Sequence, residues 1–310
     1  MTKPDIEIIA TGLHFPEGPV ELPDGSIAVV EIGAGRIIKI SGGGKHELLA
    51  HTGGGPNGMA LGPDGALYVC NNGGFSWEQE GEWLRPVGLA ADYSGGLVQR
   101  VDIGTGEVTT LYDQCDGRPL SGPNDIVFDN QGGFYFTDTG RMREFHRDHG
   151  AVYYARADGS SIKRVVFPLF APNGIGLSPD LSTLYVAEME TARLWRYAIA
   201  GPGVVHKIPF PSQTGGELVI GLSGFQRLDS LKIAASGNIC VSTLVTGCIT
   251  VISPQGGLLD QVWMPEIYPT NLAFAGQGLR DAIVTLSLTG TVGRLRWPER
   301  GLRLQNQGIA

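Results

Sequence analysis

APNGIGLSPDLSTLYVAE, from Ala171 to Glu188, is the unit from which the whole chain can be read. A Pro-Asn opening leads into a short apolar run at Ile175 to Leu177, a polar turn follows at Ser178 to Asp180, and Leu184, Tyr185 and Val186 supply strand-forming side chains. Two such runs joined by a polar turn read as a β-hairpin. The opening returns as PEGPVELPDGSIAVVE from Pro16, PNGMALGPDGALYVC from Pro56, PNDIVFDNQGGFYFTD from Pro123, LDSLKIAASGNICVS from Leu228 and PTNLAFAGQGLRDAIVTL from Pro269. The polar residues of the six openings are Glu17, Asn57, Asn124, Asn173, Asp229 and Asn271, at intervals of 40, 67, 49, 56 and 42 residues. A period in the forties with four short strands per unit predicts an all-β, six-bladed β-propeller.

Segments after each hairpin supply the outer strands. Ala192 to Ile199 and Val204 to Phe210 follow the Asn173 hairpin, and Gly35 to Ile40 and His46 to Ala50 follow that of Glu17. Near the N-terminus, Glu7 to Gly12 (EIIATG) resembles Glu47 to Gly53 (ELLAHTG), an outermost strand. The last repeat, ending near Trp297, lacks such a strand. Pairing the two closes the ring and removes an open sheet edge. Six blades use nearly all of residues 1–310, so one domain is expected.

Composition narrows the function classes. The formal charge is −8 with no basic run, which argues against a nucleic-acid partner. No apolar run approaches the roughly 20 residues of a membrane span, and MTKPDIEIIA has no charged start followed by an apolar stretch. Cys70, Cys115, Cys240 and Cys248 show no C-x-x-C spacing. These features predict a cytoplasmic protein without disulfides, acting on a small molecule.

In a propeller the innermost strand of each blade lines a central channel, and strand direction alternates within the blade. The six polar openings therefore form a ring at one mouth, on the same face as the loops between second and third strands. Each residue taken singly also suits a turn, since Asn and Asp bond their own backbone. As a set they gather carboxylate and amide oxygens without His or Cys, a donor set for a hard cation. Ca²⁺ is the first choice, with Mg²⁺, Mn²⁺ or Zn²⁺ as alternatives.

At these residues the chain resembles the SMP-30/gluconolactonase/LRE family and the related diisopropylfluorophosphatase and paraoxonase propellers. FPEGP, GPND, APNG and RLDS carry the resemblance, which covers nearly the whole chain. It implies a six-bladed propeller with a catalytic divalent cation that hydrolyses lactones or, in some members, organophosphates. Glu17, Asn173 and Asp229 match the shared metal ligands. Asn124 matches a position that is a ligand in some members and a substrate contact in others, so it stands as both a metal and a catalytic candidate. Sugar lactonases of the animal type carry Arg where Gly122 stands here, a departure at the substrate side.

Asp229 is the candidate base, with a direct nucleophilic role as the alternative. Asn57 is a candidate substrate contact from the ring. His146 and His149, in the loop REFHRDHG, are either substrate contacts or parts of a solvated loop. A long insertion at residues 71–95 carries Phe75, Trp77, Trp83 and Tyr93 on the metal face. It reads as a lid with an aromatic wall, Trp77 and Trp83 facing substrate, or as an aromatic cluster packing the loop onto its own blade. A lactonase leads, a phosphotriesterase on the same site is the alternative, and a binding propeller with a structural cation is the non-enzymatic one.

Overall fold

The computed structural model describes residues 4–308. Six sheets are arranged around a common axis as a six-bladed β-propeller, and each inner strand packs against the inner strands of both neighbours. The inner strands are Pro16–Glu21, Pro56–Leu61, Pro123–Phe128, Pro172–Leu177, Arg227–Ile233 and Pro269–Ala275. The ring closes as expected. Glu7–Ala10 pairs antiparallel with Thr291–Arg296 and becomes the outermost strand of the sixth blade.

The strand alternation explains how the blades hold together. Neighbouring residues on one strand point to opposite faces: in the second strand of blade one, Ile27–Glu31, Val30 joins an apolar cluster shared with blade two, whereas Val29 joins one shared with blade six. The buried apolar side chains described form six clusters of this kind, one at each blade interface. Second strands therefore carry apolar side chains on both faces and are almost wholly buried, while outermost strands such as His46–His51 are largely exposed. All four cysteines are buried and free. Among the described residues, no helix is long and apolar enough to cross a membrane.

Blade four differs from the expectation. Its third strand, Arg193–Gly201, pairs at one end with a short strand Val204–His206 and at the other with Glu217–Gly221. The outer position expected at Val204 to Phe210 is thus shared by two strands. At the mouth opposite the polar ring, residues 301–307 cross the channel, with Leu302 N, Asn306 Nδ2 and Gln307 Nε2 donating to the carbonyls of Ile233, Leu61 and Phe274. Those carbonyls belong to blades five, two and six, so this segment covers that end.

The closing strand also carries Ala10 into the cluster between blades six and one. Removing residues up to Gly12 is expected to lower the melting temperature and promote aggregation through the freed edge of Thr291–Arg296. An unchanged melting temperature and a monodisperse product would show that the pairing contributes nothing to closure.

Candidate active site

Glu17, Asn57, Asn124, Asn173 and Asp229, from five consecutive blades, line one cavity of about 750 Å³ at the channel mouth. Glu17, Asn57, Asn124 and Asn173 each follow the first residue of their inner strand and Asp229 follows the second of its own, all at a register shift in the pairing with the second strand. Blade six departs from the sequence expectation: Thr270, not Asn271, lines the cavity. Asn271 lies one residue deeper, in phase with Asp125. Both accept a hydrogen bond on Oδ1 from the next backbone N–H and donate one from their own N–H to a threonine hydroxyl oxygen. The extra Thr between Pro269 and Asn271 moves the amide out of the ring. Thr270 itself is engaged with the hydroxyls of Thr285 and Ser287.

Inner strands meet very closely at this depth. A Cβ added at Gly58 would stand 2.4 Å from the Asn124 carbonyl oxygen, and one at Gly174 would stand 2.6 Å from that of Asp229. Glycine here removes the side chain that would hold neighbouring strands apart.

The closeness concentrates charge away from water. Asn271 Nδ2 donates to Glu17 Oε2 at 2.7 Å, and Lys232 Nζ lies 3.4 Å from Asn271 Oδ1 and 3.6 Å from Asp125 Oδ2. Glu17, Asp125 and Asp229 thus share the axis with one ammonium group. Burial, opposed by the Asn271 hydrogen bond and reinforced by Asp125, pushes the Glu17 carboxyl up to about 7. Burial and then the charge of Glu17 hold Asp229 well above the usual carboxylate range. Asp125 is raised by burial as well, with Lys232 acting against the shift.

Two amide oxygens complete the arrangement. Oδ1 of Asn124 and Oδ1 of Asn173 are buried without a hydrogen-bond partner, although buried polar atoms are nearly always satisfied. Among the described residues, no group of three or more His, Cys, Asp and Glu is placed to hold a metal ion. The donor set here is of a different kind, two carboxylates and two unsatisfied amide oxygens. Such an all-oxygen set fits a hard cation and suits neither a soft nor a nitrogen-preferring metal.

The walls come from loops on the same face. Residues 71–95 form a hairpin, Phe75–Glu80 with Trp83–Leu89, and Leu84 N donates to Leu288 O of blade six. It lies across neighbouring blades rather than back on its own. Phe75 and the stretch from Pro86 to Leu89 line the cavity.

Neither the two tryptophans nor the two histidines expected as substrate contacts line the cavity. Trp77 packs tilted against Phe15 with ring centroids 5.1 Å apart and meets Phe75 edge-on, and Trp83 is exposed near the hairpin tip. His146 is exposed, and His149 turns outward to contact Phe170 and Phe167. Arg141, Met142, Arg143 and Arg147 line the cavity from that loop instead. Arg141, Arg143 and Arg147 all stand in RMREFHR, a basic pattern passed over for the histidines.

The sequence profile of the SMP-30/gluconolactonase/LRE-like region matches residues 15–287. The chain belongs to this family. Lactonase drp35 of Staphylococcus saprophyticus is 31% identical over 268 residues, covering 85% of this chain and 74% of that protein. Lactonase drp35 of Staphylococcus aureus is 27% identical over 267 residues with the same coverage of both chains. Among solved structures, the fold is shared with a gluconolactonase from Xanthomonas campestris, with TM-score 0.74 and 20% identity over 94% of this chain and 89% of that one. A calcium-binding protein, regucalcin, from Agrobacterium tumefaciens superposes with TM-score 0.74 and 18% identity over 99% and 98%.

Close approach of the inner strands can be tested at a residue that carries no chemistry. Gly58→Ala is expected to cost about 1–3 kcal/mol in denaturant unfolding, the range for inserting an extra methyl group into tight packing. A wild-type midpoint would mean that the strands have slack at this depth.

Proposed function

We propose that the protein is a divalent-cation-dependent lactonase, with Glu17, Asn124, Asn173 and Asp229 holding the cation and Ca²⁺ the first candidate. One observation carries the reading: two buried amide oxygens without partners stand in the same cavity as two buried carboxyls of raised pKa. The relatives named lactonases support the choice of reaction. When bound, such a cation supplies Lewis-acid polarisation of the lactone carbonyl, worth several kcal/mol to a transition state that gathers charge on oxygen.

The chain's own residues supply the rest. Glu17, fixed by Asn271, serves as a ligand only. Asp229 is the general base: it takes a proton from water as the water oxygen attacks the carbonyl carbon. It returns that proton to the ring oxygen when the carbon–oxygen bond breaks, leaving a hydroxy acid. The hairpin at residues 71–95 acts as a lid, Phe75 and Leu89 narrowing the water-accessible side of the cavity. Protein stripped of metal is expected to lose hydrolysis of a lactone panel and to regain it with Ca²⁺. Hydrolysis of an organophosphate triester alone would favour the phosphotriesterase alternative. Full activity in the stripped protein would overturn the proposal.

Two further outcomes test the roles. At saturating cation, Asp229→Asn is expected to lose about 10²- to 10⁴-fold in kcat, the usual contribution of a general base, while Glu17→Gln loses mainly cation affinity. Similar, substantial activity in both variants would remove Asp229 from the base role. The second is a pH dependence. The folded pKa of Glu17 is raised from 4.5 to about 7, so in the cation-free protein its contribution to stability is present below the lower value and lost as pH rises through the higher one. Cation binding then competes with a proton at low pH. The rise in melting temperature on adding Ca²⁺ should grow between pH 5 and pH 8, and a pH-independent shift would contradict it.

A further inference from the structure

Arg141 is the one cavity-lining arginine for which the described residues provide no carboxylate partner. Arg143 pairs with Asp148 at 2.5 Å, and Arg147 and Arg227 pair with Glu190 at 3.1 and 2.5 Å. Arg141 is 3% exposed, and its Nε and Nη2 have no hydrogen-bond partner. The nearby carboxylate of Asp138 is engaged elsewhere, accepting from the backbone N–H groups of Ser121, Gly122 and Gly140 at 2.8, 2.7 and 2.9 Å.

Unsatisfied burial of this kind is costly for a guanidinium, which cannot escape by losing its proton. The protein nevertheless holds the group firmly. Its Cζ lies 4.7 Å from the centre of the Phe75 ring and 5.5 Å from that of Tyr93. Tyr93 is anchored through its hydroxyl to Ser121 O at 2.7 Å. Gly122 leaves the space on the remaining side: a Cβ there would stand 3.3 Å from Arg141 Cζ. Aromatic faces attract a cation but do not satisfy its N–H donors. Nε and Nη2 form one edge of the guanidinium plane, a fork matched to the two oxygens of a carboxylate.

We propose that Arg141 is the seat for a carboxylate on the substrate, so that the preferred lactones are anions whose ring carbonyl faces Glu17 and Asp229 while a ring carboxylate docks on the Arg141 fork. This inference rests on the lactonase reading and adds the substrate class. It makes Arg141 a specificity-determining residue and leaves the bond-breaking chemistry to the channel floor. Arg143, Arg147 and Arg227 already have carboxylate partners and contribute a positive field around the seat. Tyr93 and Phe75 act by holding the fork in one plane, and Trp77 keeps Phe75 in position.

The test uses γ-butyrolactone bearing a ring carboxylate, its carboxamide, and a phosphate-bearing analogue, with kcat and KM measured on the Ca²⁺-loaded full chain. Wild type is expected to favour the carboxylate, through KM. In Arg141→Met the carboxylate-to-carboxamide ratio of kcat/KM should fall about 30-fold or more, the scale for truncating one side of a buried charge pair. A wild-type ratio near one, a preference for the phosphate analogue, or an unchanged ratio in the variant would each overturn the proposal. Arg141→Gln repeats the measurement if the methionine variant does not fold. Calorimetric binding of 5-oxoproline, a lactam carboxylate that resists ring opening under these conditions, separates this inference from the reaction itself. Loss of that binding in the variant supports the seat even if no lactone is turned over, a result that would defeat only the lactonase reading. Equal binding by wild type and variant would defeat the seat whatever the turnover.

Discussion

Glu17, Asp125 and Asp229 are held out of water by inner strands so close together that one methyl group on Gly58 would strike the Asn124 carbonyl. That closeness follows from the six interface clusters, which draw the blades inward and leave the first residues of the inner strands to crowd around the axis. Desolvation then does to the carboxyls what it does to any buried acid, favouring the neutral form unless positive charge is near. Lys232 supplies one such charge, low in the channel beside Asp125 and Asn271. The mouth is left with two carboxyls and two unsatisfied amide oxygens, a local deficit of positive charge created by the architecture itself.

The upper wall has the opposite imbalance. Arginines from one loop of blade three and from the inner strand of blade five face the cavity, and one of them is buried without a counter-ion. A cavity with carboxyls on its floor and guanidinium groups on its rim orients a dipolar or anionic guest before any contact is made. The blade-two hairpin links both parts. Its Trp77 packs on Phe15, two residues before Glu17, while its Phe75 stacks on Arg141. Side chains from three blades therefore share one rigid aromatic contact, and the hairpin stabilises the site as well as covering it.

Reading the sequence brings the ring residues to one cavity where position in the repeat decides orientation. Glu17, Asn57, Asn124, Asn173 and Asp229 reach one cavity because each stands at the register shift near the start of an inner strand. It failed at Asn271 for the same physical reason in reverse: one additional residue after Pro269 shifts the phase, and in a strand a shift of one residue sends the side chain elsewhere. It failed also in the loops, where no period constrains direction. Histidine and tryptophan drew notice there by residue type, but packing directs His149 toward Phe170 and Trp77 toward Phe15, and leaves the arginines facing inward.

By itself the sequence determined the number of blades, the closing strand and the depth at which polar residues gather, because each depends on a repeat with a fixed period and on strand alternation. Tertiary structure alone decided which polar groups go unsatisfied. Whether Asn124 Oδ1 lacks a partner, whether Lys232 reaches Asp125, and whether Arg141 is left between two rings with its fork free all depend on side chains brought together across blades, 107 residues apart in the case of Lys232 and Asp125. Hydrogen-bond satisfaction is a property of three-dimensional neighbours, and no local pattern in the chain encodes it.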